Sequence, residues 1–211
     1  MTEFIAAVAG VFFGAVVTFF IERYKEKKKR QDEQHGAIVR TQLALIDQLN
    51  TVSNIRRQHL NALRNDPQRA AMLISFHMTE NCLRVSYDSI AFLLMTKDPN
   101  LVMAILSAEH TFRSAVDALK LRNDAYEKLH KNAEIEAMDA AGKCRLIVKD
   151  PRDIKLLTDT TNSLYWAVDN ACERCETQIA ELFKAGKKLF PNKNFLTCAD
   201  KETQKDREGT L

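Results

Sequence analysis

From Phe4 to Ile21 the chain runs through 18 consecutive uncharged residues, FIAAVAGVFFGAVVTFFI, and the next nine are dominated by base: ERYKEKKKR. This pair of features constrains the fold more than any other. At about 1.5 Å per residue the run spans roughly 27 Å as a helix, close to the hydrocarbon thickness of a bilayer. A secretory leader would carry base before the run and a small-residue cleavage site after it. Here Glu3 precedes the run, and Arg23, Lys25, Lys27, Lys28, Lys29 and Arg30 follow it. The order predicts an uncleaved single-pass anchor in a plasma or inner membrane. The positive-inside rule places the N-terminus outside and everything from Arg23 onward in the cytoplasm. The same six residues are candidates for contact with anionic lipid.

Within the run, Ala6, Gly10, Gly14 and Thr18 recur every four residues on one helical face. Small side chains allow two such helices to approach closely, so this stripe is the candidate for self-association in the membrane. Thr18 can bond back to its own helix.

The net charge of +3 sits entirely in residues 1–30; residues 31–211 hold equal numbers of basic and acidic side chains. A nucleic-acid-binding domain carries a basic surplus of its own, so no nucleic acid is expected as partner. With only 6 Gly, 4 Pro and 8% aromatic residues against 45% hydrophobic, a many-stranded β-fold is excluded and an all-α fold expected. Asp66-Pro67, Asp98-Pro99 and Asp150-Pro151 each set an N-cap acceptor before a proline suited to a first helical turn. They predict helices over 22–65, 67–96, 99–141 and 151–189, with Gly142 closing the third.

Periodicity supports each helix. The first carries Ile38, Leu45, Leu49, Val52 and Leu63; the third Leu101, Ile105, Ala108, Phe112, Ala115, Leu119, Tyr126 and Ala133, with Asn123 interrupting the seam; the fourth Ile154, Leu157, Thr161, Leu164, Val168, Ala171, Cys175, Ile179, Leu182, Gly186 and Leu189. The 67–96 segment shows two apolar stripes, one through Ile74, Met78, Cys82 and Val85, the other through Leu73, Phe76, Leu83, Tyr87, Ile90 and Leu94. A helix apolar on two sides is central in its bundle or covered by another chain. The expected organisation is an anchor (1–21), a basic juxtamembrane stalk (22–36), an elongated antiparallel four-helix bundle or coiled coil (37–190) and a flexible C-terminal tail (191–211). Between the third and fourth helices the tip 142–150 contains Leu146, Ile147 and Val148, which either fold back or form a partner contact.

Candidates for chemistry are sparse. Cys172-x-x-Cys175 lies mid-helix, without the second ligand pair a zinc site needs or the helix N-terminus a redox pair needs. Glu127-x-x-His130 lacks the second such pair of a di-iron bundle. His59, His77 and Trp166 read as packing residues, and Lys184, Lys187, Lys188 and Lys193 complement a helix C-terminus. Arg122-Asn123 with His130 resembles the Arg-polar…His motif of HEPN ribonucleases, themselves helical bundles, although the spacing exceeds the family's pattern. That resemblance implies a tethered ribonuclease using Arg122 and His130. The residues otherwise suggest no catalytic site, no metal and no cofactor. They suggest a membrane-anchored scaffold or adaptor that self-associates and binds a protein partner. A membrane-acting effector of toxin or phage-defence type, perturbing the bilayer as an oligomer, is the alternative.

Overall fold

The structure, a computed structural model, describes the backbone of residues 2–78, 82–95, 99–138 and 144–196, and the side chains of 12–78, 82–95, 99–134 and 147–196. The chain is mostly helical. Three long helices organise it: α1 (Thr2–Ile55), α4 (Asn100–Asn132) and α5 (Pro151–Leu189), with single-turn helices α2 (Arg69–Met72) and α3 (Tyr87–Ile90) between the first two.

Helix α1 continues without interruption from the apolar run through the basic segment into the core. Residues 12–33 are exposed on every side, and burial begins at Ala37 and Ile38. Among the described residues no helix is long and apolar enough to cross a membrane. Of the expected anchor, the side chains of Phe4 to Val11 lie outside the described residues, and with them Ala6 and Gly10 of the small-residue stripe. At the described end, Phe12, Phe13 and Phe20 are 71%, 74% and 65% exposed. Gly14 has open space around it, and the Thr18 hydroxyl donates to the Gly14 carbonyl at 2.9 Å.

Below this projection α1 buries Ile38, Leu45, Leu49 and Val52 against one seam from α4 (Ile105, Ala108, Phe112, Ala115, Leu119) and another from α5 (Leu164, Val168, Ala171, Cys175, Ile179, Leu182). Helix α5 runs antiparallel to α4, since Lys128 meets Asp153 near one end and Arg174 meets Ser107 well down the pair. It is also antiparallel to α1, with the Tyr165 hydroxyl on the Leu60 carbonyl at one level and His35 against Asn194 at the other. Parallel α1 and α4 therefore need a connection that returns the full length of the bundle.

The expected second helix does not make that return. Its start signal works: the Asp66 carboxylate accepts from Gln68 N at 2.7 Å and one turn, α2, forms. At Leu73 the backbone turns extended (φ −71°, ψ 106°), and among the described residues no helix resumes until α3. Of the two predicted stripes only Leu73 and Ile90 are buried, while Ile74, Leu83 and Tyr87 are 65%, 49% and 49% exposed. The four-helix expectation is thus replaced by three long helices with an irregular crossover.

Two more boundaries differ. The third helix stops at Asn132 instead of 141, and Ala133–Met138 (β1) pairs antiparallel with Cys144–Val148 (β2) in a two-stranded hairpin. The sequence AEIEAM alternates with a period of two, which suits a strand and not a helix. Gly142 lies outside the described residues. From the level of Tyr165, which meets Leu60, α5 runs 14 residues back to Pro151, so this end of α5 rises about 21 Å past Leu60. Asp150 caps α5 as expected, its carboxylate accepting from Arg152 N at 2.9 Å. The segment 191–196, assigned above to a flexible tail, instead folds back onto α1; residues 197–211 lie outside the described residues.

Candidate interaction surfaces

The stalk comes first because α1 presents it in isolation. Arg23, Lys25, Lys27, Lys28, Lys29 and Arg30 are all exposed, on one continuous helix, with no other element beside them. The first tertiary contact is at Asp32, whose carboxylate pairs with Lys193 at 2.8 Å. The hydrogen bond and charge of Lys193 hold that carboxyl below its ordinary range. Around the same level His35 Nε2 meets the Asn194 carbonyl at 2.9 Å, and Gln42 bonds Leu196 twice, donating to its carbonyl and accepting from its N–H. Phe195 lies edge-on to His35, ring centroids 5.1 Å apart, and covers Gly186. The lysines near the end of α5 serve this closure: Lys187 donates to the Lys193 carbonyl, and Lys184 pairs with Glu181.

A second surface lies on the outside of α4 and α5. Ser114 and Ala118 of α4, with Asn162, Ser163, Trp166 and Ala167 of α5, line an open groove of about 430 Å³ without a charged side chain. Sequence reading gave Trp166 a packing role, but its neighbour Tyr165 takes that place, 5% exposed, while Trp166 is 68% exposed. On a helix adjacent residues point about 100° apart, so only one of the two can face the core.

Leu146, Ile147 and Val148 are not in a loop but on β2. Val148 packs on the small cluster of Ala125, Leu129 and Leu157, and Ile147 is 46% exposed. The side chain of Leu146 lies outside the described residues.

The chemical candidates are accounted for by their neighbours. Cys172 and Cys175 are buried in the α5 seam; burial pushes the Cys172 thiol up, away from the reactive thiolate. Among the described residues no group of three His, Cys, Asp or Glu side chains could hold a metal ion. Glu127 approaches Lys131 at 3.6 Å, and His130 stacks on Tyr126 with its Nδ1 at the Tyr126 carbonyl. His59 is half-buried and stacked on Phe76, ring centroids 4.0 Å apart, whereas His77 is exposed. Arg122 is fully buried, and its guanidinium donates to the carbonyls of Ala70, Leu73 and Ile74. A guanidinium so enclosed cannot reach a phosphodiester, which leaves the ribonuclease resemblance without its arginine.

Sequence reasoning missed the polar set that holds the crossover. Asn123 donates to the Phe76 carbonyl at 2.7 Å, and Gln48 to the Leu83 carbonyl at 2.9 Å. Asp47 accepts from Leu83 N; Glu109 accepts from Val85 N, from Gln48 and from Arg113. The one sequence signal was Asn123 interrupting an apolar seam. Near α2, Arg64 forms a two-pronged pair with Asp169 at 2.8 Å for each bond, and the guanidinium of Arg69 lies 4.9 Å from the Tyr165 ring centre. Comparison with protein-family models, curated proteins and solved structures finds no match to this chain.

Proposed function

We propose that this protein is a single-pass membrane-anchored scaffold or adaptor, holding a cytoplasmic helical body above the bilayer and acting through protein contacts. The observation that carries the reading is the continuity of α1. One 54-residue helix bears the apolar run, the isolated basic stalk and the first seam of the core. The run supplies enough length to span, the six basic residues supply the orientation, and the absence of a hinge loop ties the body's position to the anchor. The uncharged α4–α5 groove with exposed Trp166 supports a contact role, since an exposed indole beside small residues is a common anchor in protein interfaces.

The test is in-cell cross-linking of the full chain followed by mass spectrometry, beside a chain lacking residues 1–30. A discrete heterologous partner that disappears with the first 30 residues is the expected result. Self-cross-links alone would overturn the adaptor reading and leave an oligomer acting on the membrane. Extraction of the full chain from membranes by alkaline carbonate would overturn the anchor itself.

A further inference from the structure

Helix α2 stops at a particular place, and the stop is made by side chains. The last helical bond of its turn joins Leu73 N to the Arg69 carbonyl at 3.0 Å. Three of the next five bonds of a continuing helix would go from residues 74, 77 and 78 to the carbonyls of Ala70, Leu73 and Ile74, each four residues back. Those three carbonyls are the ones the Arg122 guanidinium takes. Further along, the Phe76 carbonyl is taken by Asn123 and the Leu83 carbonyl by Gln48, while the N–H groups of Leu83 and Val85 go to Asp47 and Glu109. These groups of the crossover are therefore satisfied from outside, where a helix would satisfy them from within. Its own sequence favours the helix: the Asp66-Pro67 start, and apolar residues at helical spacing from Leu73 to Leu94.

We propose that the 73–78 segment is a two-state element, docked and extended when Arg122 holds its carbonyls and helical when Arg122 is withdrawn. Arg122 is the positioning residue of this switch. It lies fully buried with no carboxylate among its described partners, its positive charge facing only carbonyl dipoles and the Tyr126 ring at 4.8 Å. A buried cation held by carbonyl dipoles gains less than one facing an anion, and it leaves them only where water or an anion takes their place. The two states present different surfaces. The docked state hides Leu73 and Ile90 and exposes Leu83 and Tyr87. A helix over 73–78 instead brings Leu73, Phe76 and His77 onto one face. This inference stands apart from the adaptor reading and uses no part of it.

The experiment compares the full chain with Arg122→Met, which keeps length and removes the donors, by hydrogen exchange and far-ultraviolet circular dichroism. In the variant, amides of 73–78 are expected to exchange roughly tenfold more slowly, with more helical ellipticity. Adding His77→Pro, which forbids a helix there and suits extended backbone, should erase both gains. Unchanged or faster exchange over 73–78 in Arg122→Met, with α4 and α5 still protected, overturns the proposal. If that variant loses protection in α4 and α5 as well, Arg122→Lys carries the test, because it keeps the charge and reaches fewer carbonyls. Slower exchange over 73–78 supports the switch there, and unchanged or faster exchange overturns it.

Discussion

Replacing Gly186 by alanine sets two effects of known size against each other. Gly186 is buried one turn before the end of α5. Alanine in a helix is favoured over glycine by about 1 kcal/mol, because the unfolded chain loses freedom. Against this, a Cβ at 186 would stand 2.6, 2.8 and 2.9 Å from three atoms of the Phe195 ring. Ordinary carbon contacts begin near 3.5 Å, so the ring must retreat by most of an ångström. Its surroundings resist: His35 and Phe183 flank it, and the backbone of Asn194 and Leu196 is held by His35 and Gln42. Overpacking of this kind costs about 1–3 kcal/mol, and the net is a loss of about 1 kcal/mol. For a chain of this size that is a fall of about 2–4 °C in Tm. Urea and thermal unfolding of the full chain in mild detergent would measure it. A Phe195→Leu background should return Gly186→Ala to neutral or better. Stabilisation by the full 1 kcal/mol with Phe195 in place would refute the packing of 190–196 on α5.

Glu109→Ala leaves one N–H of the buried Gln48 amide, and the Val85 N–H, without an acceptor and should cost about 2–4 kcal/mol in the same unfolding assay, with a loss near the surface range counting against the clamp. The Arg64 hydrogen bond and charge hold the Asp169 carboxyl below its ordinary value, against the opposing effect of burial. A depressed carboxyl stabilises above its unfolded pKa and loses that contribution as pH falls through the folded one. Because both side chains are more than a third exposed, Asp169→Asn should flatten the acid limb of stability against pH by less than about 1 kcal/mol. An unaltered limb would show the pair to be without effect. Changing all six stalk residues to glutamine should scramble the orientation of the chain, read by protease accessibility of residues after 30, and retained orientation would contradict the anchor. Gly10→Ile with Gly14→Ile should weaken a membrane-helix dimerisation reporter; an unchanged signal assigns that face to lipid.

The long helices were legible because their periodicity and their packing agree. The seams read through Ile38 to Val52, Leu101 to Leu119 and Leu157 to Leu182 are the ones the structure buries. Asp150-Pro151 starts a helix as its chemistry requires. The crossover was not legible, because Arg122, whose guanidinium takes the carbonyls where its helix stops, stands 48 or more positions away in the chain, on α4. Local propensity is overruled there by tertiary hydrogen bonding, and only Asn123 hinted at it. The β-hairpin was legible in principle: AEIEAM alternates, but it was read as a continuation of the long helix before it. The fold-back of 191–196 depends on single contacts to His35 and Gln42 that no periodic pattern announces. Among the interaction surfaces, the stalk followed from charge order alone, whereas the choice of Tyr165 as the buried and Trp166 as the exposed aromatic needed the helix's rotation.

Continuity of α1 has a mechanical consequence. From Ile21 to Ile55 the helix is a lever of about 51 Å, so a 10° change of tilt at Ile21, the bilayer surface of the proposed anchoring, would carry its far end about 9 Å sideways. The lever has one soft point: Gly36 is the only glycine between Gly14 and the core, where exposed stalk meets buried seam. The 190–196 segment spans that point like a splint, fastened to Asp32 and His35 on one side and to Gln42 on the other. With the splint in place a tilt or rotation of the N-terminal end of α1 would pass into the body; with it removed, the joint at Gly36 would let the body swing free of that end, and on the proposed anchoring free of the membrane's orientation.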